Sequence, residues 1–240
     1  MIRIAMWSGP RNLSTAMMRS FGARDDTACI DEPFYAAFLQ LSGADHPMRE
    51  ETLAAHEVDA GKVAWDLAHG DRPAEVFYQK HMTHHMVAGI PRGWMADVTN
   101  VFLIRHPFRV LQSYAKKRAE ITLDDIGFVQ QTDLFHEGWA LAGRRPVVID
   151  ADDILSDPRR ALASLCTAIG IPPTDGMLRW AAGPRPEDGA WAPHWYDGVW
   201  SSTGFAPPPA PVCMPPEGLE DLAETAMPHY TALKSLALAI

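Results

Sequence analysis

A chain of 240 residues, 47% hydrophobic and 21% charged, has the composition of one globular domain, which excludes an intrinsically disordered chain. Its 21 lysines and arginines against 30 aspartates and glutamates give a formal net charge of −9, which argues against nucleic acid or an anionic membrane as a partner. Three scattered cysteines form neither an even disulfide set nor a CxxC metal-binding pair.

Strand and helix signals alternate along the chain, which is the pattern of a parallel sheet in an α/β protein. Strands are predicted at 2–7, 27–30, 76–81, 98–104 and 146–149. Helices are predicted at 14–24, 108–118, 128–143, 159–169 and 219–238. We expect a single domain over 1–240, with an irregular lid or strap over 183–216 and a C-terminal helix within 217–240.

The beginning of the sequence, MIRIAMW, is too short an apolar stretch for a secretory signal, because Ser8 and Gly9 follow it directly. No run approaches the roughly 20 apolar residues that a membrane span requires. We therefore expect a cytoplasmic protein with no membrane partner.

The stretch GPRNLST joins the first strand to the first helix, an arrangement that directs backbone N–H groups and a helix dipole toward an anion. It is not a Walker A loop, because it has no lysine before its hydroxyl residues. It offers Arg11 and the hydroxyls of Ser14 and Thr15 instead. The alternative is that Ser14 only caps the helix and that Arg11 is a solvated surface charge.

A second basic stretch covers residues 98–119, which hold five lysines and arginines and no acid in a chain of net negative charge. Arg105 stands at the end of a buried strand, where ligands of open α/β sheets collect. Ser113 follows eight residues later, on the same helix face as Arg109. The pair suits a phosphate clamp. The alternative, a solvated basic face, is what we expect for Lys116, Lys117 and Arg118.

Together these stretches resemble the sulfotransferases that use 3'-phosphoadenosine 5'-phosphosulfate (PAPS), in particular their bacterial branch. GPRNLSTAMM is similar to the loop that holds the 5'-phosphosulfate, and IRHPFRVLQSY to the element that holds the 3'-phosphate. VVIDADDILSDPRRALASLCTAIGIP is similar to a third family element. The resemblance covers about residues 2–40, 76–119 and 146–173.

The resemblance implies a fold and a donor. The fold is a three-layer α/β sandwich with a five-stranded parallel sheet, like that of P-loop nucleotide kinases. In the loop after the first strand, Arg11, Asn12, Ser14 and Thr15 would bind the 5'-phosphosulfate of PAPS. Arg105 and Ser113 would bind its 3'-phosphate. The acceptor would be a small molecule with a hydroxyl or amine, and no metal is expected, since a sulfuryl group carries less charge than a phosphoryl group.

Two departures from the family pattern affect the site. Leu13 replaces the loop glycine, so the loop has to be reshaped, and Asn12 could supply a left-handed conformation instead. The stretch WAPHWYDGVWSSTGF stands where a basic lid would be expected, with His194 and Trp195 as candidate ligand contacts.

The acceptor's proton needs a base, and the sequence leaves several candidates open. Glu32 follows the second strand and is similar in position to the glutamate base of the bacterial branch. Lys80 and His81 follow the third strand and are similar to the Lys/His pair of the small-molecule branch, with His84 or His85 as further candidates. Arg11 is the candidate for stabilising charge on the leaving oxygen.

Two metal hypotheses carry less weight. His81, His84 and His85 have i, i+3, i+4 spacing but no cysteine or HExxH motif beside them. Asp150, Asp152 and Asp153 could hold magnesium at a strand end, but structural roles at a helix start are preferred.

Two other functions remain possible at this level: a non-catalytic phosphoadenosine sensor and a nucleotide kinase on the same fold. The missing loop lysine argues against the kinase. The acceptor wall is expected within 34–75, a stretch that includes Met48, Trp65 and His69.

Overall fold

The sheet carries the predicted parallel topology. The computed structural model describes residues 1–115, 121–208, 210–211 and 214–240. In these ranges five strands form one sheet in the order β2-β3-β1-β4-β5, and all neighbouring strands are parallel. The strands are β1 (Ile2–Ser8), β2 (Thr27–Asp31), β3 (Val76–Met82), β4 (Thr99–Ile104) and β5 (Val147–Asp150). All five predicted strands are confirmed to within about two residues.

Helices connect and cover the strands. The α-helices are α1 (Ser14–Gly22), α2 (Tyr35–Ser42), α3 (Arg49–Ala55), α4 (Ala60–His69), α5 (Pro107–Tyr114), α6 (Leu123–Ile126), α7 (Phe128–Ala142), α8 (Ala151–Ser156), α9 (Pro158–Ile169), α10 (Ala192–Trp195), α11 (Asp197–Trp200) and α12 (Glu220–Lys234). Short 3-10 helices span Thr83–His85, Gly93–Asp97 and Asp175–Leu178. Within the described ranges, no helix has the length and apolar character that crossing a bilayer requires.

The central strand β1 shows why the sheet is covered on both faces. Its residues are buried almost without interruption, and alternate ones point to opposite sides. Ala5 and Trp7 belong to a core cluster with side chains of α2, α4 and α7. Ile4 and Met6 belong to a second cluster with α1, α8 and α9. This is the predicted three-layer sandwich.

Helix α9 begins and ends as its sequence predicts. The Asp157 side chain accepts a hydrogen bond from the Arg160 N–H at 3.1 Å, and Pro158 occupies the first turn. Gly170, at φ +79°, ends the helix in the left-handed conformation.

Other boundaries differ from the prediction. Helix α1 ends at Gly22, because Arg24 turns away to pair with Asp26 just before β2. Helix α5 ends at Tyr114, and the predicted continuation through 116–118 lies outside the described residues. Helices α2, α3 and α4 fill residues 34–75, for which no helix was predicted. Residues 183–205, which we call the lid segment, are largely irregular but include α10 and α11.

The strand order creates a crevice at the carboxyl ends of β1, β3 and β4. Strands β2 and β3 lie on one side of β1, and the chain then crosses to the other side of β1 to form β4 and β5. Ligands of open α/β sheets bind at the point where the strand order reverses in this way. Gly9 allows the end of α6 to pack on the turn after β1, because a Cβ there would lie 2.8 Å from the Ile126 carbonyl oxygen.

Candidate active site

A cavity of about 370 Å³ lies in this crevice. Its lining brings together separate parts of the chain. They are residues 10–16 of the turn after β1 and the start of α1, Glu32, Tyr35, His46, Lys80, Met82, His84, His85, Arg105, Ser113, Tyr114, and Trp191 with residues 194–199 of the lid segment. Every residue that the sequence offered as a base or as a donor-binding group, except His81, is among them.

The turn after β1 is reshaped around Arg11. Arg11 has φ +54°, a left-handed conformation that is uncommon for a residue with a side chain. Leu13 sits at ordinary negative φ just before α1. The expectation that Asn12 takes the left-handed conformation is therefore wrong. Instead, its side chain donates to the Leu103 carbonyl at 2.8 Å and accepts from the Leu13 N–H at 2.7 Å, which fixes the turn.

The start of α1 faces the cavity without a side-chain cap. The alternative that Ser14 only caps this helix does not hold, since the N-cap residue is Leu13 and it makes no side-chain hydrogen bond to the helix. Ser14 and Thr15 line the cavity instead. The free N–H groups and the dipole of α1 favour an anion at this position.

Arg11, Arg105 and Ser113 meet in this cavity. Arg105 donates from Nη1 to the Arg11 carbonyl at 2.6 Å, and Arg11 donates from Nε to Ser113 Oγ at 3.0 Å. The Nε of Arg105 is buried and has no partner among the described residues. Burial lowers the pKa of Arg105 from its ordinary value. Neighbouring Arg109 differs, because it pairs with Asp152 at 2.7 Å.

Glu32 and Lys80 form the polar centre of the cavity. Lys80 Nζ donates to Glu32 Oε1 and, at 2.8 Å, to Oδ1 of Asp31, its register partner across β2 and β3. Burial raises the pKa of Glu32, although Lys80 opposes the shift. Burial alone would lower the pKa of Lys80, but Asp31 and Glu32 outweigh it and hold that pKa well above its ordinary value. Glu32 also has a left-handed backbone at φ +41°.

His81 lies in the core and not in the cavity. It is 2% exposed, stacks on Trp7 with ring centroids 4.5 Å apart, and contacts Trp94 at 5.1 Å. Burial lowers its pKa to about 3. The sequence placed it beside Lys80, but successive side chains of a strand point to opposite faces of the sheet. His81 is thus out of reach of an acceptor in the cavity.

His84 and His85 do line the cavity, on its aromatic wall. His85 stacks on Tyr35 at 4.5 Å, and its Nε2 lies 3.9 Å from Glu32 Oε2. Burial, with the nearby His84 and His46, holds the pKa of His85 well below its ordinary value. His85 therefore presents a neutral ring at physiological pH.

The aspartates at the end of β5, for which structural roles were preferred over a magnesium site, have protein partners. Asp150 caps α8 by accepting from the Asp152 N–H at 2.8 Å, and it also accepts from Tyr230 OH at 2.7 Å. Asp153 pairs with Lys234 at 2.7 Å. Among the described residues, no group of three or more histidine, cysteine or acidic side chains is arranged to hold a metal ion.

The acceptor-wall residues are only partly those expected. Trp65 and His69 are exposed on α4, and neither they nor Met48 lines the cavity. Tyr35 and His46, from the same stretch of sequence, do line it. In the lid segment, His194 and Trp195 line the cavity as expected.

Several residues of the cavity and its polar centre were not singled out from the sequence: Asp31, Tyr35, His46, Trp191 and Tyr196. Of these, only Asp31 could have been found, because it stands beside Glu32 at the end of a strand.

Fold and site together define an α/β protein in which one cavity is lined by the start of a helix and by two arginines that form no ion pair with an acid among the described residues. The model of the sulfotransferase domain family matches residues 2–237, and the chain belongs to this family.

Solved structures of sulfotransferase domains share the fold. The chain superposes on the sulfotransferase domain of the Synechococcus PCC 7002 olefin synthase with a TM-score of 0.56 at 15% identity, covering 94% of both chains. It superposes on the sulfotransferase domain of the curacin biosynthetic pathway with a TM-score of 0.55 at 14% identity, covering 95% of this chain and 97% of that one.

Two curated proteins of Arabidopsis thaliana are similar in sequence. Branched-chain-amino-acid aminotransferase-like proteins 1 and 2 are 39% and 38% identical to the chain over 232 and 231 residues, which is 97% and 96% of this chain. The chain spans 41% of the length of each.

Proposed function

We propose that this chain transfers the sulfuryl group of PAPS to a hydroxyl or amine of a small acceptor. One observation carries the proposal. Arg11 and Arg105, which have no acidic partner among the described residues, share a cavity with a buried Glu32–Lys80 pair. Because cations held partly out of water without an ion-pair partner are costly, their presence supports an anionic ligand that completes the site.

The residues present suit a ligand with phosphates at both ends of a ribose. The buried, unpartnered Nε of Arg105 supports a 3'-phosphate held by Arg105 and Ser113. The uncapped start of α1 supports a 5'-phosphosulfate held by Arg11, Ser14 and Thr15. The side chain of Asn12 is already used in shaping the turn, so we assign it to holding the loop rather than to direct contact.

Glu32 is our candidate for the base. PAPS would supply the sulfuryl group and a nucleotide phosphate as the leaving group. As the acceptor oxygen bonds to sulfur, its proton passes to the Glu32 carboxylate, and the bond from sulfur to the phosphate oxygen breaks. Burial raises the pKa of Glu32, which suits a group that has to take a proton near neutral pH. Arg11, which lines the same cavity, is our candidate for stabilising charge on the leaving oxygen.

The acceptor would lie against the aromatic wall near Glu32. Tyr35 bonds through its hydroxyl to His46 Nδ1 at 3.0 Å and packs edge-on to Trp191 at 4.8 Å. Flat aromatic faces and the neutral ring of His85 favour a small hydroxylated or amine-bearing compound over a highly charged one. The name of the Arabidopsis relatives adds a reason to include amino acids and their keto acids in an acceptor panel.

Thermal unfolding with 3',5'-phosphoadenosine (PAP) tests the proposal. Without Mg²⁺, at a few hundred times its dissociation constant, PAP should stabilise the protein by roughly 3 kcal/mol. Stabilisation by ATP–Mg²⁺ and not by PAP would favour the kinase. PAP binding with no turnover across the acceptor panel would favour the sensor.

A further inference from the structure

The lid segment reaches the polar centre of the cavity through one buried hydroxyl. Tyr196, between α10 and α11, is 4% exposed. Its hydroxyl donates to Asp31 Oδ2 at 2.7 Å and accepts from Lys80 Nζ at 2.7 Å. It also accepts from Trp191 Nε1 at 3.4 Å. The one proton and both lone pairs of this hydroxyl are thereby used.

The hydrogen-bond donors of Lys80 are also fully used. Its ammonium has three N–H groups, which go to Asp31 Oδ1 at 2.8 Å, to the Tyr196 hydroxyl at 2.7 Å and to Glu32 Oε1. Because the ammonium is tetrahedral, fixing two of its N–H directions also fixes the third. Asp31 and Tyr196 thus determine how Lys80 meets Glu32.

We propose that Tyr196 is a positioning residue, which holds Lys80 against Glu32 and so links the packed lid segment to the proton-accepting carboxylate. Its role in catalysis rests on the function proposed above, with Glu32 as base. The contact itself is a property of the free protein.

The charges around Glu32 give the direction of the effect. It faces Asp31 from β2, Lys80 from β3, His85 from the 3-10 turn after β3, and Tyr196 from the lid segment. When Tyr196 donates to Asp31, it satisfies one oxygen of a carboxylate that competes for Lys80. Without that hydroxyl, Lys80 is drawn toward Asp31 and stabilises the ionised form of Glu32 less. The pKa of Glu32 should therefore rise.

The rest of the lid segment is anchored without this hydroxyl. Gly189 donates from its backbone to Asp31 Oδ2 at 3.3 Å, and Asp188 pairs with buried Arg19 at 2.7 Å. Position 189 admits only glycine, because a Cβ there would lie 2.2 Å from the ring of Trp191. Removing the oxygen of Tyr196 should therefore leave the segment in place.

A second tyrosine provides the matched control. Tyr230 of α12 donates to Asp150 Oδ2 at 2.7 Å, and Lys234 lies 3.0 Å from the same oxygen. This Tyr–Asp–Lys group lies at the opposite edge of the sheet, and Tyr230 does not line the cavity.

The test is a ¹³C NMR titration of the Glu32 carboxyl carbon in the full chain, assigned with Glu32→Gln. In Tyr196→Phe we expect the pKa of Glu32 to rise by about half a unit or more, while Tyr230→Phe leaves it in place. The affinity for PAP should stay within about threefold in both variants, because neither hydroxyl is assigned to the donor.

An unchanged Glu32 pKa in Tyr196→Phe overturns the inference, and so does an equal shift in Tyr230→Phe. The titration needs no ligand, so the two proposals fail separately. If no PAP binds to any form of the protein, the proposed function fails, while a shift confined to Tyr196→Phe still supports the positioning contact.

Discussion

Arg105 is informative because it is partly buried and forms no ion pair with an acid among the described residues. A guanidinium that leaves water ordinarily gains a carboxylate, as Arg109 does with Asp152. Arg105 instead donates to the Arg11 carbonyl and keeps its buried Nε unpartnered among the described residues. The protein tolerates this cost at the end of β4, where a ligand phosphate can offset it.

Replacing Arg105 with alanine should weaken PAP binding by about 2 kcal/mol or more, since a charge-assisted phosphate contact is lost. Isothermal titration calorimetry measures this directly. Arg144→Ala is the control, because Arg144 donates to the Val98 carbonyl at the other end of β4. A dissociation constant unchanged in Arg105→Ala would remove Arg105 from the donor site.

Replacing Glu32 with glutamine should abolish most turnover and leave donor affinity nearly intact, because the amide cannot take a proton. In the unmodified protein, activity should fall as the pH drops through the raised pKa of Glu32, since only the ionised carboxylate is a base. A pH–rate profile of both forms, with Glu57→Gln as a surface control, measures this. Full activity in Glu32→Gln would assign the base to another group.

Individual residues show which features of the site could be predicted from the sequence and which could not. That Arg11 and Arg105 lie near the same crevice could be predicted, because each closely follows a buried strand. The conformation of the first turn could not be predicted, since the left-handed residue is Arg11 and not Asn12. The side chain of Asn12 is held by a hydrogen bond to Leu103, which belongs to a strand far along the chain. His81 failed as a base because adjacency to Lys80 in a strand means opposite faces.

At the scale of elements, the buried Arg19 attaches the lid segment to α1 through two carboxylates, a close contact with Asp188 and a longer one of 3.8 Å with Glu187. Arg19 of α1 is almost fully buried and pairs with Asp188 at 2.7 Å, and Trp200 Nε1 donates to the same carboxylate at 3.0 Å. Arg159 and Asp175 form a second Arg–Asp pair, but both side chains are largely exposed. The two pairs share their chemistry and differ in burial.

Replacing Asp188 with alanine should therefore lower the free energy of unfolding by about 3 kcal/mol, because a buried guanidinium loses its hydrogen-bonded carboxylate and retains only the longer contact with Glu187 at 3.8 Å. Asp175→Ala should change the free energy of unfolding little, since exposed ion pairs contribute weakly. Urea unfolding of both variants makes the comparison. Equal effects would mean that Arg19 finds another partner and that Asp188 does not anchor the lid segment.

Strands and long helices could be predicted because their signals are local. The five strands are apolar, β-rich runs that end at turn residues, and α9 has a proline, an aspartate cap and a closing glycine in sequence. Helices α10 and α11 have four residues each, too few to show periodicity, and tertiary contacts such as buried Tyr196 fix them. Helices α2 to α4 are of seven to ten residues, and only α4 has a side-chain cap, from Asp59.

At the scale of the whole molecule, a chain of net charge −9 concentrates positive charge in one crevice. Parallel strands make this possible, because the turn after β1 and the end of β4 meet at the same edge of the sheet although Arg11 and Arg105 are far apart in sequence. That the turn after β1 lies close to the end of β4 could be predicted from the order of the two motifs along the chain. The network of Asp31, Lys80 and Tyr196 could not, because it needs the lid segment in place.

The most direct test of the account is a crystal structure with PAP bound. We expect the 3'-phosphate on Arg105 and Ser113 and the 5'-phosphate at residues 9–15, with Glu32 facing the space where a sulfuryl group would stand. A nucleotide bound outside this cavity, or one whose phosphates leave Arg11 and Arg105 without contact, would contradict it.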